Sequence, residues 1–93
     1  MIDWDDGNWP KCGKHGVSQA EIAEVFANDP MVAPDHAHSS VEERFHAVGQ
    51  TDTGRYVFIA YTRRTQHGVL LYRPVSARYM HSKEIDFYAK TRT

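Results

Sequence analysis

The sequence predicts an α+β fold: an antiparallel sheet of about four strands with two N-terminal helices and a C-terminal helix. Three observations predict this class. A helix-capping pattern stands in the N-terminal third, strand-like stretches with short turns between them follow it, and another helix start lies near the end. Because the connections between strands are short, the strands are predicted to form an antiparallel meander. The 93 residues suffice for one domain over residues 1–93.

The N-terminal segment predicts a short strand and the first helix. Residues 2–5 alternate apolar and polar side chains, as a strand with one buried face does, and turn-forming residues follow. Residues 9–15 predict the first helix. Pro10 suits a first helical turn, and Gly16 can adopt the left-handed conformation that ends a helix.

A capping box gives the clearest local signal in the chain. Ser18 and Glu21 are three residues apart, so that each side chain can accept the backbone N–H of the other. Apolar side chains then recur at helical spacing, and Pro30 stops the helix. The apolar face of this second helix is predicted to serve the core, and no functional role is predicted for it.

The strands of the predicted sheet follow the second helix. Residues 31–33 predict a brief edge strand, and residues 56–61 have the β-branched and aromatic content of a central strand. Residues 41–49 alternate between two faces, so Arg44 and His46 are predicted to share one face. Another strand begins at residue 69 and runs towards Pro74. Because proline cannot donate a hydrogen bond to a sheet, this strand either lies at an edge or contains a bulge.

The stretch from Tyr72 to Tyr88 joins the last strand to the C-terminal helix and concentrates reactive side chains. Ser82 is the predicted N-cap of this helix, with Glu84 in its first turn. Cations that bind phosphate, a histidine and a carboxylate that can move protons, and phenols that stack or donate are the groups that an RNA-cleaving site needs. The alternative is a solvated strand end followed by an ordinary charged helix.

Charge is distributed unevenly along the chain. Residues 1–54 hold three Lys and Arg against ten carboxylates, a balance of −7, whereas residues 55–93 hold eight against two, a balance of +6. This asymmetry predicts a basic surface on the C-terminal half. Nucleic acid is the first candidate partner and an acidic protein the second. In the alternative, the two halves interleave and their charges cancel.

Composition also argues against several classes of protein. No apolar run approaches the roughly 20 residues that span a bilayer. The N-terminus lacks the cationic and apolar regions of a signal peptide, so we expect a cytoplasmic protein without membrane attachment. Cys12 is the single cysteine, which excludes an internal disulfide. His36 and His38 are one residue apart, but a metal site needs a third ligand, and neither a metal nor another cofactor is predicted.

Several motifs, taken together in their order and spacing, resemble the BrnT-type toxins of bacterial type II toxin–antitoxin pairs. The resemblance covers nearly the whole chain and differs from better-known members before Lys14 and in the run from Arg78 to Glu84, which indicates a divergent subgroup. The matching pieces are Trp4-Asp5, Lys14-His15-Gly16-Val17, Glu21 to Phe26 with Asp29-Pro30, His38-Ser39 with Glu43-Arg44-Phe45, Tyr61 through Arg64, Arg73, Ser76-Ala77-Arg78, Glu84 and Tyr88.

The resemblance implies a RelE-like fold and a ribonuclease that cleaves RNA without an obligatory metal. It also implies a cognate ribbon-helix-helix antitoxin that silences the toxin by covering its basic face. Cleavage requires a base, an acid and cations around the phosphate. The predicted catalytic residues are His81, Glu84, Arg64, Arg78, His15 and Tyr88. The predicted phosphate-binding residues are Arg44, Arg73, Lys14 and Lys83.

Two alternatives stand beside this interpretation. Arg44 or Glu84 can instead form a structural ion pair, and the whole protein can be a non-catalytic binding module that keeps only a partner surface. The catalytic assignment requires Arg64, Arg78, His81 and Glu84 to converge on one exposed cleft. An exposed sheet edge near Pro74 also makes a homodimer possible.

Overall fold

The computed structural model describes residues 1–38 and 42–92. In this part of the chain, four strands form one antiparallel sheet in chain order, with two α-helices. The strands are β1 (Met31–Pro34), β2 (Arg44–Gln50), β3 (Tyr56–Gln66) and β4 (Val69–Tyr79), and the helices are α1 (Gln19–Ala27) and α2 (Ser82–Arg92). The predicted α+β class, the four-stranded sheet and its antiparallel meander are therefore confirmed.

Helix α1 begins at the predicted capping box. Ser18 Oγ accepts the Glu21 backbone N–H at 3.1 Å, and Glu21 Oε1 accepts the Ser18 backbone N–H at 3.1 Å. The helix then buries Ile22 and Val25 completely against one face of the sheet. Burial of each such side chain stabilises the fold by about 1.5–3 kcal/mol relative to its exposure.

The strands present alternate residues to this core. In β2, Phe45 and Ala47 are buried, whereas Arg44, His46 and Val48 are half-buried and point to the opposite face. The predicted sharing of one face by Arg44 and His46 is thereby confirmed. We call the sheet face opposite α1 the open face. Its centre is crossed by a row of paired residues from three strands, Val48, Phe58 and Arg78.

Pro74 satisfies both predictions made for it. It lies on β4, an edge strand of the described sheet, and the register with β3 shifts there, since Tyr61 pairs with Pro74 but Ala60 pairs with Ser76. The extra residue, Val75, forms the bulge. The carbonyl oxygen of Pro74 accepts a hydrogen bond from the buried Asn8 side-chain amide at 2.9 Å, which ties the N-terminal segment to the sheet.

The predicted first helix over residues 9–15 is wrong. This segment contains a 3-10 turn at Lys11–Gly13, in which Gly13 and Lys14 donate to carbonyls three residues earlier. Proline lacks an N–H and glycine is a poor helix former, so a sequence with Pro10 and Gly13 this close together does not extend the turn.

The predicted first strand is also wrong. Ile2 forms an isolated parallel bridge with Tyr72, but the chain turns away at Asp5. The Asp5 side chain accepts the Gly7 backbone N–H at 2.7 Å, and Asn8 Oδ1 accepts the Asp5 N–H at 2.9 Å. These local hydrogen bonds compete with backbone hydrogen bonds between strands, so the strand does not continue.

Two element boundaries differ from the prediction. Strand β2 begins at Arg44, and the predicted start at Val41 lies outside the described residues. Helix α2 begins at Ser82, so His81 and not Ser82 occupies the N-cap position; the backbone N–H of Ile85 donates to the His81 carbonyl at 3.0 Å. No helix in the described part of the chain is long and apolar enough to cross a membrane.

Candidate active site

The most compact cluster of the predicted site residues lies where β4 turns into α2. Arg78 stands near the end of β4 and Glu84 in the first turn of α2. The guanidinium donates from Nη1 and Nη2 to the two Glu84 carboxylate oxygens at 2.7 and 2.8 Å. Glu84 Oε1 also accepts the His81 backbone N–H at 2.9 Å. The carboxylate thus fixes both the guanidinium and the start of the helix.

The pair is ionised over a wide pH range. The hydrogen bonds from Arg78, with that from the His81 backbone, lower the pKa of Glu84 from 4.5 to about 2. Hydrogen bonding to Glu84 in turn raises the pKa of Arg78 above its ordinary value. A catalytic acid or base works best when its pKa lies near the operating pH. Glu84 is therefore better suited to orienting Arg78 than to moving a proton.

Arg78 keeps binding capacity beyond this pair. Its side chain is 36% exposed. A guanidinium has five N–H donors, and Glu84 accepts from two of its nitrogens. A phosphate that approaches from solvent can accept from the others, in the bidentate geometry that favours arginine at phosphate sites.

Three further residues line up beside Arg78 on the open face. The Arg78 Cζ lies 4.6 Å from the centroid of the Phe58 ring, and the His46 ring centroid lies 4.6 Å from the same centroid. His46 Nε2 is 2.9 Å from the Asp35 carboxylate, which is 6% exposed. The sequence analysis placed His46 on the right face but assigned no role to it or to Asp35. Their pairing depends on how the loop after β1 returns to β2, which no local motif reveals.

An apolar groove adjoins this cluster. It runs between α2 and the open face, and Phe87 on its rim is 74% exposed. The apolar side chains along it are Met31, Val48, Phe58, Met80, Phe87 and Tyr88. Lys83, predicted to bind phosphate, is exposed on this side of α2 beside Glu84. Tyr88 packs edge-on against Tyr56 at 5.6 Å between ring centroids.

Arg64 does not join the Arg78 cluster, so the convergence of four residues on which the catalytic assignment from the sequence depended is not met. Arg64 pairs with Leu71 near the tip of the β3–β4 hairpin, whereas Arg78 pairs with Phe58 near its open end. Six residues of extended strand separate the two positions on β3, about 20 Å. The Arg64 Nε lies 3.8 Å from Asp3 instead.

Arg73 lies beside Arg64 in a second charged cluster. It donates to both Asp5 carboxylate oxygens at 2.8 Å and to Asp3 at 3.4 Å, and its side chain is 15% exposed. These bonds from Arg73 lower the pKa of Asp5 from 3.8 to about 2. The acidic N-terminal segment thus pairs with the basic half, so the interleaving alternative describes this end of the sheet.

Of the remaining predicted residues, Arg44 lies on the open face, whereas Lys14 and His15 lie on the α1 side and do not join the Arg78 cluster. Lys14 and His15 are exposed after the 3-10 turn, next to Gly16, whose carbonyl accepts from the Tyr79 hydroxyl at 3.2 Å. Tyr79 follows Arg78 but faces the α1 side of the sheet, where it also donates to Glu21 at 2.8 Å. Arg44 is half-buried on the open face, two residues before His46.

The described residues contain no group of three or more His, Cys, Asp or Glu side chains that could hold a metal ion. Cys12 is buried in the core, and burial raises the pKa of its thiol to about 11. A thiol with so high a pKa is not a nucleophile at neutral pH.

Comparison with known families identifies the family to which the chain belongs. The family model described as the ribonuclease toxin BrnT of type II toxin–antitoxin systems matches residues 4–84. The chain therefore belongs to the BrnT toxin family. The matched range includes the sheet and ends at Glu84, within the first turn of α2. A search of curated proteins gave no match.

Proposed function

We propose that the protein is an endoribonuclease toxin of a type II toxin–antitoxin pair, and that Arg78 binds the phosphate at which RNA is cut. The observation that carries the proposal is the Arg78–Glu84 pair, which holds a partly exposed guanidinium in a fixed orientation on the open face. Membership of a ribonuclease toxin family supports RNA as the substrate.

In the proposed reaction, the ribose 2′-oxygen forms a bond to the adjacent phosphorus and the bond from phosphorus to the 5′-oxygen breaks. The products are a 2′,3′-cyclic phosphate and a 5′-hydroxyl. Arg78 stabilises the negative charge that accumulates on the phosphorane. Glu84 is a positioning residue, and the exposed imidazole of His81, at the start of α2, transfers a proton. Protein side chains thus supply the chemistry without an obligatory metal.

In this proposal the other predicted residues bind RNA outside the cleavage site. Lys83 and Arg44 flank the Arg78 cluster and extend its positive potential along the open face. Tyr88 in the groove offers a surface for a base. Lys14 and His15 contact RNA from the α1 side, and Arg64 and Arg73, at the far end of the sheet, contribute only distant phosphate contacts.

We further propose that the sheet and helices form a RelE-like fold and that the antitoxin is a ribbon-helix-helix protein. The antitoxin is expected to cover the basic residues of the open face, and the edge of β4 beyond Pro74 offers a route to a homodimer. Size-exclusion chromatography with light scattering of the purified chain, alone and with its antitoxin, checks both assemblies.

Induced expression in a bacterial host tests the proposed function. The wild-type chain is expected to arrest growth and fragment cellular RNA. Arg78→Ala is expected to abolish both effects, because loss of a contact to a transition-state charge costs about 10²-fold or more in rate. Arg63→Ala is the matched control, since Arg63 is exposed and lies over Phe45 on the α1 side. Equal toxicity of the wild type and Arg78→Ala would reject the assignment.

The alternative is a non-catalytic binding module. It is favoured by the fact that Arg73 and Arg78 already have carboxylate partners within the chain. Harmless expression of the wild type, with intact RNA and retained antitoxin binding, would support this alternative.

A further inference from the structure

The Arg78 cluster raises the question of where a second proton-transfer group is found. Cleavage through the 2′-oxygen moves one proton from the attacking hydroxyl and another to the leaving oxygen. Glu84 is held as a carboxylate by Arg78, and Tyr88 is engaged edge-on with Tyr56. His81 can supply one of the two groups.

We propose that His46 is the second proton-transferring residue of the Arg78 site and that Asp35 positions it. The proposal rests on the proposed ribonuclease function, since it names a residue of the same site. His46 would touch the substrate and is the catalytic group, whereas Asp35 acts only through His46.

Strand register brings His46 to Arg78. Phe58 on β3 pairs with Val48 on β2 and with Arg78 on β4, and His46 lies two residues from Val48 on the same face. The His46 ring centroid and the Arg78 Cζ each lie 4.6 Å from the Phe58 ring centroid, so twice that distance is the upper limit of their separation. Both groups are therefore within reach of one ligand that lies over Phe58. A phosphate hydrogen-bonded on both sides spans about 8 Å between its two donor nitrogens, which lies within this limit.

The contact with Asp35 determines which ring nitrogen is available. His46 Nε2 lies 2.9 Å from Asp35 Oδ2, so Nε2 carries the proton that is donated to the carboxylate. The lone pair of the neutral ring is then on Nδ1. Asp35 is itself held in place, because its backbone N–H donates to the Arg44 carbonyl at 2.7 Å. A base oriented by a buried carboxylate is a recurring arrangement at proton-transfer sites.

Exposure separates the two members of the pair. Asp35 is 6% exposed, whereas His46 is 33% exposed and can meet a ligand on the open face. A purely structural pair would need only to neutralise the buried carboxylate. The position of His46 beside the ring that also carries Arg78 is what assigns it to the site.

The proton balance of the step is as follows. His46 Nδ1 accepts the proton of the attacking 2′-hydroxyl as the oxygen bonds to phosphorus, and Asp35 stabilises the imidazolium that forms. Protonated His81 gives its proton to the 5′-oxygen as that bond breaks. Among the described residues, the charged groups that face His46 are Asp35 directly after β1, Arg44 on β2, and Arg78 across Phe58. Its direct strand partners, Ala33 and Ala60, carry no charge.

Rates of cleavage of a single-stranded RNA oligonucleotide, measured with the full chain from about pH 5 to pH 9, test the proposal. His46→Gln is expected to lower the rate by about 10²-fold or more and to remove the rise of rate with pH that reports the base. Asp35→Asn is expected to retain more activity than His46→Gln and to lower kcat without raising KM, because Asp35 acts only by orienting the imidazole. His67→Asn, at the exposed β3–β4 turn, is the control and should match the wild type; asparagine tolerates the positive φ of this position.

The outcomes distinguish this inference from the function on which it rests. A wild type that cleaves no RNA rejects the ribonuclease and, with it, the role of His46. A wild type that cleaves RNA, with His46→Gln cleaving equally well and keeping the pH dependence, rejects His46 alone. If His46→Gln does not fold, NMR of the wild type with a 2′-deoxy oligonucleotide of the same sequence decides. The ring signals of His46 should then shift and those of His67 should not, and an unchanged His46 overturns the proposal.

Discussion

The two arginine–carboxylate clusters use the same bidentate chemistry for different purposes, at positions of the β3–β4 hairpin where Arg73 pairs with Thr62 and Arg78 with Phe58. Arg73 is 15% exposed and binds the carboxylate of Asp5 in the N-terminal segment, 68 residues away in sequence. Arg78 is 36% exposed, binds Glu84 only six residues later, and lies over Phe58. Arg73 fastens the N-terminal segment to the sheet, whereas we propose that the orientation of Arg78 prepares it for a ligand.

Replacing each of the two arginines by alanine, one at a time, should give the largest difference in RNA cleavage and in stability. Arg78→Ala is expected to lower RNA cleavage by about 10²-fold or more and to lower the melting temperature less than Arg73→Ala does, because the Arg78–Glu84 pair is more exposed. Arg73→Ala is expected to do the reverse, with a melting temperature a few degrees lower and cleavage nearly retained, because the N-terminal segment loses its anchor. Cleavage assays and thermal unfolding monitored by circular dichroism measure both effects. Similar results for the two variants would remove the distinction.

Neutralising Glu84 separates a positioning role from a proton-transfer role. Glu84→Gln is expected to lower cleavage by about 10-fold, since the guanidinium is less well oriented, and to leave the shape of the pH–rate profile unchanged. Asp86→Asn, an exposed change on the same helix, is the control. Disappearance of a limb of the profile in Glu84→Gln would instead make Glu84 a proton-transfer residue.

Acid should weaken both clusters in the same pH range. The folded-state pKa values of Asp5 and Glu84 are both about 2, below ordinary values of 3.8 and 4.5. A carboxyl group with a lowered folded-state pKa stabilises the fold above its unfolded pKa, and that stabilisation is lost as the pH falls through the folded pKa. The free energy of unfolding, measured by urea titration, should therefore decrease from about pH 4.5 towards pH 2.

The variants divide that acid dependence between the clusters. Arg73→Ala is expected to remove the part due to Asp5, and Arg78→Ala the part due to Glu84. If the pH dependence of the free energy of unfolding stays unchanged in both variants, then neither arginine lowers the folded-state pKa of its carboxylate partner.

Gly7 offers the smallest and most local test of the Arg73 cluster. A Cβ added at Gly7 would lie 2.8 Å from Arg73 Nη2 and 3.0 Å from Asp5 Oδ1, so the guanidinium would have to move. Gly7→Ala is expected to lower the melting temperature slightly and to leave cleavage unchanged, because Arg78 is remote. In the Arg73→Ala background the effect of Gly7→Ala on the melting temperature should disappear, and its persistence would place the effect elsewhere.

Local signals were sufficient to predict much of the fold. The capping box at Ser18 and Glu21 specifies a helix start through bonds between residues three apart, and alternation in β2 specifies which side chains face the core. The prediction of a first helix was wrong because Pro10 and Gly13 limit the segment to one 3-10 turn. The prediction of an opening strand was wrong because the side chains of Asp5 and Asn8 accept hydrogen bonds from backbone N–H groups that a strand would use for sheet pairing.

The candidate site was less predictable because it depends on long-range pairing. Arg78 and Glu84 were both named as site residues from the sequence. They are only six residues apart, and the short connection between β4 and α2 brings them together. To predict that Asp35, His46 and Phe58 lie together, one must know the register of neighbouring strands. Arg64 was expected beside Arg78, but the two arginines lie at different positions along the β3–β4 hairpin, and only the register of these strands shows this. Strand register is set by the whole sheet, not by one motif.

Analysis of the ends of RNA fragments tests the central claim most directly. A labelled single-stranded RNA is incubated with purified wild type, Arg78→Ala and Arg63→Ala, and the fragment termini are identified by mass spectrometry. The account predicts fragments ending in 2′,3′-cyclic phosphate and beginning with 5′-hydroxyl for the wild type and Arg63→Ala, and almost none for Arg78→Ala. RNA left intact by the wild type, or cut equally by Arg78→Ala, would contradict it.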